Sequence, residues 1–302
     1  MASRLGKRLA KVVARLPALY RVDRPKRFRM RDADAGDTAG LDESDFGDEV
    51  LAAGVERLAD LQERLYAEDR WAVLLLFQAM DAAGKDSTIK HVLSGVNPAG
   101  CHVVSFKAPT HEELDHDFLW RHARHLPERG RIGIFNRSWY EEVLVVRVHE
   151  EILRSQHLPP ERVTKHIWDE RFEDINGFER YLARNGVLVV KFFLHVSKKE
   201  QRRRFLARID EPAKNWKFQL GDVEEREHWG DYMDAYEDLI RRTSTKHARW
   251  HVIPADNKWF MRLAVAATVV EALEELDPRY PEFDRAKTKE LRVARRRLLS
   301  GR

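Results

Sequence analysis

Residues 71–88 read WAVLLLFQAMDAAGKDST, an apolar run followed by a loop of small residues and the pair Gly84-Lys85. The apolar run predicts a buried strand over Trp71–Phe77, and the residues after Lys85 are typical of a helix. A strand, a small-residue loop, Gly-Lys and a helix form the context of a Walker A loop. In such a loop, backbone N–H groups and the helix N-terminus surround phosphate oxygens, and the lysine reaches the outer phosphates. The sequence therefore predicts a phosphate-binding loop.

This loop departs from the usual pattern at two positions. Ala79 stands where the first glycine belongs, and Asp86 replaces the Ser or Thr that binds magnesium. The alternative is an ordinary turn between a strand and a helix, capped by Asp81. If the loop binds phosphate, the residues expected at the phosphates are Asp81, Ala82, Ala83, Gly84, Lys85, Asp86 and Ser87.

Four further apolar runs predict strands, and longer helical patterns separate them. They cover His102–Phe106, Ile132–Phe135, Val187–Phe193 and Trp250–Ile253. Near-continuous apolar strands that alternate with helices imply a parallel sheet covered on both faces. We therefore predict an α/β fold, a three-layer αβα sandwich around a five-stranded parallel sheet.

The segment before the last predicted strand interrupts this alternation. It is long, highly charged and rich in helix formers, with Pro212 and Gly221 as punctuation. A helical lid over about 196–246 explains it, and a solvated helical hairpin is the alternative. We predict an N-terminal helical and linker extension at 1–50, a P-loop phosphotransferase domain at 51–280 and a basic C-terminal tail at 281–302.

Composition limits the classes of function. The chain has 302 residues, 43% of them hydrophobic, which is enough for one large core. A net charge of only +4 argues against a general nucleic-acid binder, and no apolar run approaches the roughly 20 residues that span a bilayer. Cys101 is the single cysteine, so no internal disulfide forms and a cytoplasmic location is expected.

The N-terminus is basic, with no acidic residue before Asp23. It has the composition of an organelle transit peptide. Apolar residues at helical spacing equally fit a helix that packs on the body or on a partner subunit, and a homo-oligomer is expected. These residues are Leu5, Leu9, Val12, Leu16 and Leu19. The stretch Asp32–Glu49 is acidic and rich in turn formers, which predicts a surface linker.

A second candidate site follows the predicted strand Ile132–Phe135. In many P-loop enzymes the corresponding strand ends in an aspartate that holds magnesium. Here the residue is Asn136, a neutral and weaker ligand, so the predicted Mg²⁺ ligand is Asp81. Arg137 is placed to pair with a transferring phosphoryl group, although a structural ion pair with a glutamate is the alternative. The two reserve carboxylates are Glu141 and Glu142.

Basic residues are dense in the predicted lid. They are Lys198, Lys199, Arg202, Arg203, Arg204, Arg208, Lys214 and Lys217. A groove lined with cations suits an extended polyanion, as it does a nucleic-acid backbone. Arg204 and Arg208 share one helix face and are the first candidates, followed by Lys214 and Lys217. Near the strand ends, Lys107 and Arg121 are expected to extend the groove.

These motifs together resemble the polyphosphate kinase 2 family. The resemblance rests on Met80–Lys90, Phe135–Val145, Asn215–Phe218, Trp229–Tyr232, Ala235-Tyr236 and Ile253–Lys258. It implies a thymidylate-kinase-like P-loop core under a helical lid, dependence on Mg²⁺, and reversible exchange between polyphosphate and adenine or guanine nucleotides.

Within that resemblance, Asn136 is informative. Members that phosphorylate nucleoside diphosphates usually carry aspartate at this position, whereas asparagine resembles the subgroup that accepts both AMP and ADP. The implied reaction is therefore polyphosphate plus AMP or ADP giving ADP or ATP. The residues expected to act on the transferring group are Asp81, Lys85, Arg137 and Arg204.

Two other functions remain open on the residues alone. An ATP-dependent nucleoside-monophosphate or small-molecule kinase would use the same loop and lid, but it has no need for so many lid cations. A non-catalytic polyanion-binding protein is suggested by Ala79 and Asn136, and the retained Gly84-Lys85 pair argues against it.

Overall fold

The computed structural model describes residues 11–45 and 48–300, in which five strands form one parallel sheet. The strands in chain order are β1 (Ala72–Gln78), β2 (Cys101–Ser105), β3 (Ile132–Asn136), β4 (Val187–His195) and β5 (Trp250–Pro254). Their spatial order is β2-β3-β1-β4-β5, so β1 is central. The predicted α/β fold with a five-stranded parallel sheet is confirmed.

Helices lie on both faces of this sheet, as parallel strands require. They are α1 (Leu16–Tyr20), α2 (Asp48–Glu68), α3 (Lys85–Val92), α4 (His111–Leu114), α5 (Trp120–Ala123), α6 (Val145–Val148), α7 (Glu150–Ser155), α8 (Ile167–Arg184), α9 (Lys198–Asp210), α10 (Leu220–Glu224), α11 (Trp229–Thr243), α12 (Lys258–Leu276) and α13 (Arg285–Leu299). Helices α9, α10 and α11 fill the interval between β4 and β5, where the lid is predicted.

The register of the central strands places the two candidate sites side by side. All seven residues of β1 are buried, and β1 pairs with β3 so that Phe77 lies opposite Asn136. Parallel strands present their carboxyl ends at one edge, where ligands of open α/β sheets bind. The phosphate loop after β1 and the polar run after β3 therefore meet at the same edge.

The edge strand β2 is less buried than its apolar sequence predicts. Val103 is 50% exposed, because β2 ends the sheet and has a neighbour on one side only. The other predicted strands differ from the observed bounds by one or two residues. Polar residues such as Gln78 and His195 continue the ladder, although they interrupt the apolar pattern.

Residues 11–45 pack along the opposite edge of the sheet. Arg21 forms an antiparallel bridge with His251 of β5, and the Val22 N–H donates to the Trp250 carbonyl at 2.9 Å. Leu16 is 1% exposed, in agreement with a helix that packs on the body. Part of the predicted linker also contacts the body, since the Ala35 carbonyl accepts from the Asp256 N–H at 3.0 Å. The N-terminal Leu5 and Leu9 lie outside the described residues.

A fully buried ion pair crosses the core. The Lys191 ammonium of β4 donates to Glu179 of α8 at 2.6 Å, to the Tyr140 hydroxyl at 2.8 Å and to the Thr243 carbonyl at 2.7 Å. The Tyr140 hydroxyl donates to the other Glu179 oxygen at 2.7 Å. Because every donor of the ammonium has an acceptor, the network offsets much of the cost of burying the two charges.

No helix in the described ranges combines the length and the apolar character that a membrane span requires.

Candidate functional site

The loop between β1 and α3 has the backbone of a phosphate cradle. Ala82 and Gly84 adopt positive φ angles of 59° and 107°, which turn successive peptide groups. Gly84 precedes α3 directly, so the loop leads into a helix N-terminus. A Cβ at Gly84 would lie 3.3 Å from the Met261 side chain, and its φ is one that L-residues rarely adopt. This position therefore requires glycine.

Lys85 is the lysine of this loop and is partly buried. Its ammonium donates to the Ala79 carbonyl at 2.9 Å, which folds the side chain back over the loop. Burial, together with the nearby charge of Arg137, lowers the pKa of Lys85 to about 8. An anion in the cradle would favour the charged ammonium and oppose that shift.

Arg137 follows β3 and faces the loop. Its guanidinium donates to Asp81 at 2.9 Å and to Glu141 at 2.9 Å. Glu141 first, and Asp81 in addition, raise the pKa of Arg137 well above its usual range, so it is always charged. Its φ is 65°, an unusual conformation for arginine that is typical of functional sites. The ion pair with a glutamate is present, and it lies at the phosphate loop.

Asn136 connects the two candidate sites. Its amide donates to Asp86 at 2.5 Å and to the Ser105 hydroxyl at 3.4 Å. The asparagine is 9% exposed, and its Oδ1 has no hydrogen-bond partner in the described part of the chain. A buried acceptor without a partner is rare and indicates a missing donor, water or cation.

A cavity of about 500 Å³ lies over the loop and under the lid. Five basic residues from four parts of the chain line it. They are Lys85, Lys107, Arg137, Arg208 and Lys217. The predicted site residues Asp81, Ala82, Ala83, Gly84, Asp86, Ser87 and Asn136 also line it. The structure thus brings together most of the predicted site residues.

Arg204 holds a different position from the expected one. Its guanidinium donates to the carbonyls of Ala82 and Ala83 at 3.1 and 2.6 Å, and to those of Ala255 and Asp256 at 2.5 and 3.0 Å. Its remaining N–H donates to Glu200 at 2.8 Å. All five donors contact protein acceptors and the side chain is 6% exposed. Arg204 therefore holds the phosphate loop from behind and does not line the cavity over it.

Four other predicted residues lie outside the cavity lining. Glu141 is partly buried and pairs with the lining residue Arg137 at 2.9 Å. Glu142 is buried and pairs with Arg171 at 3.0 Å. Arg121 is buried and donates to the Lys107 carbonyl at 2.7 Å, so it supports a lining residue from behind. Lys214 forms an exposed ion pair with Glu211 at 2.5 Å. Both Glu142 and Arg121 line a second cavity of about 420 Å³ beyond the β2 end of the sheet.

Several lining residues are absent from the predicted site. Asp222 of α10 reaches the cavity and pairs with Arg208 at 3.1 Å. Ser105, Phe106, Trp216 and Gln219 complete the lining. Asp222 carries no local sequence signal, because it faces the loop only through the packing of the lid. Ser105 was predictable as the last residue of a strand at the carboxyl edge of the sheet.

The aromatic residues after Arg137 belong to the core. Trp139 and Tyr140 are fully buried, so neither is free to stack on a base. By contrast, Trp216 is 77% exposed, and Phe106 lines the cavity.

The oxygen donors at the loop fit a divalent cation. Within 11–45 and 48–300, no cluster of three or more His, Cys, Asp or Glu side chains is arranged to hold a metal. Mg²⁺ usually takes one or two carboxylates and completes its shell with water and phosphate oxygens. Asp81 and Asp86 provide two carboxylates in the cavity, and Asn136 provides an amide oxygen without a partner.

The chain is similar in sequence and in structure to proteins of known family. The sequence profile described as Polyphosphate kinase 2 matches residues 41–281. The ADP-polyphosphate phosphotransferase of Rhodopseudomonas palustris is 58% identical over 252 residues, covering 83% of this chain and 87% of the relative. The AMP/ADP-polyphosphate phosphotransferase of Meiothermus ruber is 46% identical over 271 residues, covering 89% and 97%. The crystal structure of Polyphosphate Kinase 2 from Arthrobacter aurescens TC1 matches with a TM-score of 0.82 at 41% identity, covering 92% of this chain and 96% of that one.

Proposed function

The chain belongs to the polyphosphate kinase 2 family, and we propose that it transfers the terminal phosphoryl group of inorganic polyphosphate to AMP and ADP, reversibly. The names of the two relatives support polyphosphate as donor and adenine nucleotides as acceptors. Asn136, the residue of the subgroup that accepts both AMP and ADP, supports the wider acceptor range. Guanine nucleotides are a further acceptor class to test.

The observation that carries this proposal is the cationic cavity between the phosphate loop and the lid. Lys85 and Arg137 contribute from the sheet side, and Arg208 and Lys217 contribute from the lid side. Polyphosphate is a row of negative charges with few other features to recognise. Cations on both sides of the cavity therefore suit it.

In the proposed reaction a terminal phosphate oxygen of the acceptor attacks the terminal phosphorus of polyphosphate. The new P–O bond forms as the bond to the next phosphate breaks, which leaves a chain shorter by one phosphate. Such a transfer depends mostly on positioning and on neutralising charge. Lys85 and Arg137 are the residues proposed to neutralise the transferring group. Arg204 acts through the loop backbone and is a positioning residue.

The metal proposed for this site is Mg²⁺, with Asp81 as the predicted protein ligand. Asp86 and Asn136 line the same cavity and are further candidate oxygen donors. When bound, the cation would neutralise phosphate oxygens and order the substrate chain.

The lid supports the choice of a transferase over a hydrolase. Arg208 pairs with Asp222, which joins two lid helices above the loop. A closed lid keeps water away from the transferring group, so the acceptor nucleotide competes with less water. We place the protein in the cytoplasm and expect a homo-oligomer.

The test incubates purified protein with Mg²⁺, long-chain polyphosphate and either AMP or ADP, and follows the nucleotides by chromatography. Lys85→Ala is expected to lower turnover by at least roughly a hundredfold, because it removes a preorganised charge from the transition state. Lys90→Ala is the matched control, since Lys90 lies on the same helix but is exposed and does not line the cavity.

Three outcomes separate the candidate functions. Conversion of AMP to ADP and of ADP to ATP by polyphosphate supports the full proposal, and GMP or GDP as acceptor would widen it. Turnover with ATP as the only donor would identify an ATP-dependent kinase. Binding of polyphosphate without turnover under any condition would indicate a non-catalytic polyanion binder.

A further inference from the structure

The C-terminal helix α13 is exposed along most of its length. None of its 15 residues is buried. It reads RAKTKELRVARRRLL, with seven Lys or Arg residues and one Glu. Since no face of this helix is buried against the core, packing does not explain its basic composition.

Four of these cations form one row. Arg285, Lys289, Arg292 and Arg296 follow one another at spacings of four, three and four residues, which places them on one side of a helix. The row extends over about 16 Å at 1.5 Å per residue. We refer to these four residues as the basic row.

The basic row has no acidic partner among the residues that the structure describes. Lys287, which lies off the row, pairs with Glu290 at 3.0 Å. In residues 11–45 and 48–300, no ion pair involves any of the four members of the row. Four cations at spacings of one helical turn repel one another, and an anion laid along the row would relieve that repulsion.

A short segment ties α13 to the catalytic body. Helix α12 ends at Leu276, and the residues Asp277–Asp284 include Pro278 and Pro281 before α13 begins. Eight residues reach at most about 28 Å when fully extended. The basic row is therefore held at a high effective concentration close to the body.

This helix also lies outside the part of the chain that carries the family match. The family profile ends at residue 281, before α13 starts at Arg285. The basic row is thus an addition to the phosphate loop and lid.

We propose that the basic row is an accessory binding site for inorganic polyphosphate, which holds a distal part of a long chain while its end lies in the cavity. This inference rests on the proposed donor, because charge complementarity to the enzyme's own polyanionic substrate selects the occupant. Two-point attachment raises the affinity for chains long enough to reach both sites, and it does nothing for short ones.

The test compares two triple variants of the full chain. Lys289→Gln with Arg292→Gln and Arg296→Gln removes three charges of the row. Lys287→Gln with Arg295→Gln and Arg297→Gln removes the same number and types of charge elsewhere on α13. The KM for long-chain polyphosphate is expected to rise roughly fivefold or more in the first variant, with kcat unchanged. The KM for tripolyphosphate should change in neither variant, and the second should stay within about twofold for long chains.

A direct measurement of polyphosphate binding distinguishes a failure of the accessory site from a failure of the proposed function. Full-length Lys85→Ala, with and without the triple substitution in the row, is titrated with long-chain polyphosphate. If the wild type shows no turnover with polyphosphate but the row still contributes to binding, the proposed function fails and the accessory site stands. If turnover occurs and the row variant equals the off-row variant in KM and in Kd, the accessory site is wrong.

Co-sedimentation with vesicles of phosphatidylcholine and phosphatidylserine covers the other polyanionic partner. Binding to these vesicles that depends on the row, with no change in the KM for long polyphosphate, would assign α13 to a membrane surface and overturn the inference.

Discussion

Residues in this site are distinguished by their partners more than by their type. Lys85 faces the cavity with a pKa lowered to about 8, whereas Lys191 is sealed in the core by three acceptors. Within the described ranges, the Lys85 ammonium has only the Ala79 carbonyl as a hydrogen-bond partner and lines the cavity, so it can exchange that partner for a ligand. Because the pKa of Lys85 is lowered next to the phosphate cradle, the binding of an anion there is expected to depend on pH.

The affinity for polyphosphate is expected to depend on pH through Lys85. Above pH 8 the ammonium of the free enzyme loses its proton, and binding of an anion must restore it. The Kd for polyphosphate should therefore be flat below pH 8 and rise above it, approaching about tenfold per pH unit. Titrations from pH 6.5 to 10 measure this. Lys85→Arg is the control, because arginine stays charged; the same rise in that variant would show that Lys85 is not its cause.

Of two adjacent glutamates, one is expected to affect catalysis and the other the stability of the fold. Glu141 pairs with Arg137 at the cavity, and Glu142 pairs with the buried Arg171. Glu141→Ala should lower kcat with little effect on stability. Glu142→Ala leaves a buried guanidinium without its carboxylate and should cost about 3–5 kcal/mol of unfolding free energy. Urea unfolding and steady-state kinetics on both variants decide this, and equal effects of the two on stability would contradict it.

At the scale of elements, the site depends on α9 as much as on the loop itself. Arg204 of α9 joins the loop to residues 255–256 after β5 through four carbonyls. The guanidinium fork meets several acceptors in one plane, which the ammonium of lysine cannot reproduce. The geometry of the phosphate loop thus depends on a helix more than a hundred residues away in the sequence.

Arg204→Lys is therefore expected to reduce kcat at least roughly tenfold and to lower the unfolding free energy by about 2–4 kcal/mol, because buried carbonyls lose their donors. Arg203→Lys is a matched control. Arg203 also pairs with Glu200, but its side chain is 68% exposed, so the substitution should be neutral. Thermal unfolding and kinetics measure both. Normal stability of Arg204→Lys would show that these bonds do not support the loop.

Local patterns explain which elements were predictable from the sequence. The strands and the phosphate loop depend on runs of apolar and small residues, so they were found within one or two residues. The orientations of Arg204 and Glu142 were not predictable, because they depend on partners far away in the chain. The turn Trp139–Val143 is a 3₁₀ helix in which adjacent side chains point in different directions, so Glu141 pairs with Arg137 and Glu142 with Arg171.

At the scale of the whole molecule, one buried pair connects the sheet with two helices that pack against each other, α8 and α11. Lys191 lies on β4, Glu179 on α8, and Tyr140 in the turn after β3, while Thr243 ends α11. The same turn carries Arg137 at its start. The core network therefore links the stability of the fold to the position of the catalytic edge.

Removing one member of this pair should destabilise the whole protein more than removing both. Lys191→Met leaves a buried carboxylate with fewer donors and is expected to cost about 3–5 kcal/mol of unfolding free energy. In the double variant Lys191→Met with Glu179→Gln, the neutral amide still accepts from Tyr140, so at least about 1–2 kcal/mol should be regained. Urea unfolding of the two single variants and the double variant gives the coupling energy. If the losses of the single variants simply add in the double variant, Lys191 and Glu179 do not act as a coupled pair, and the network does not join the sheet to the helices around it.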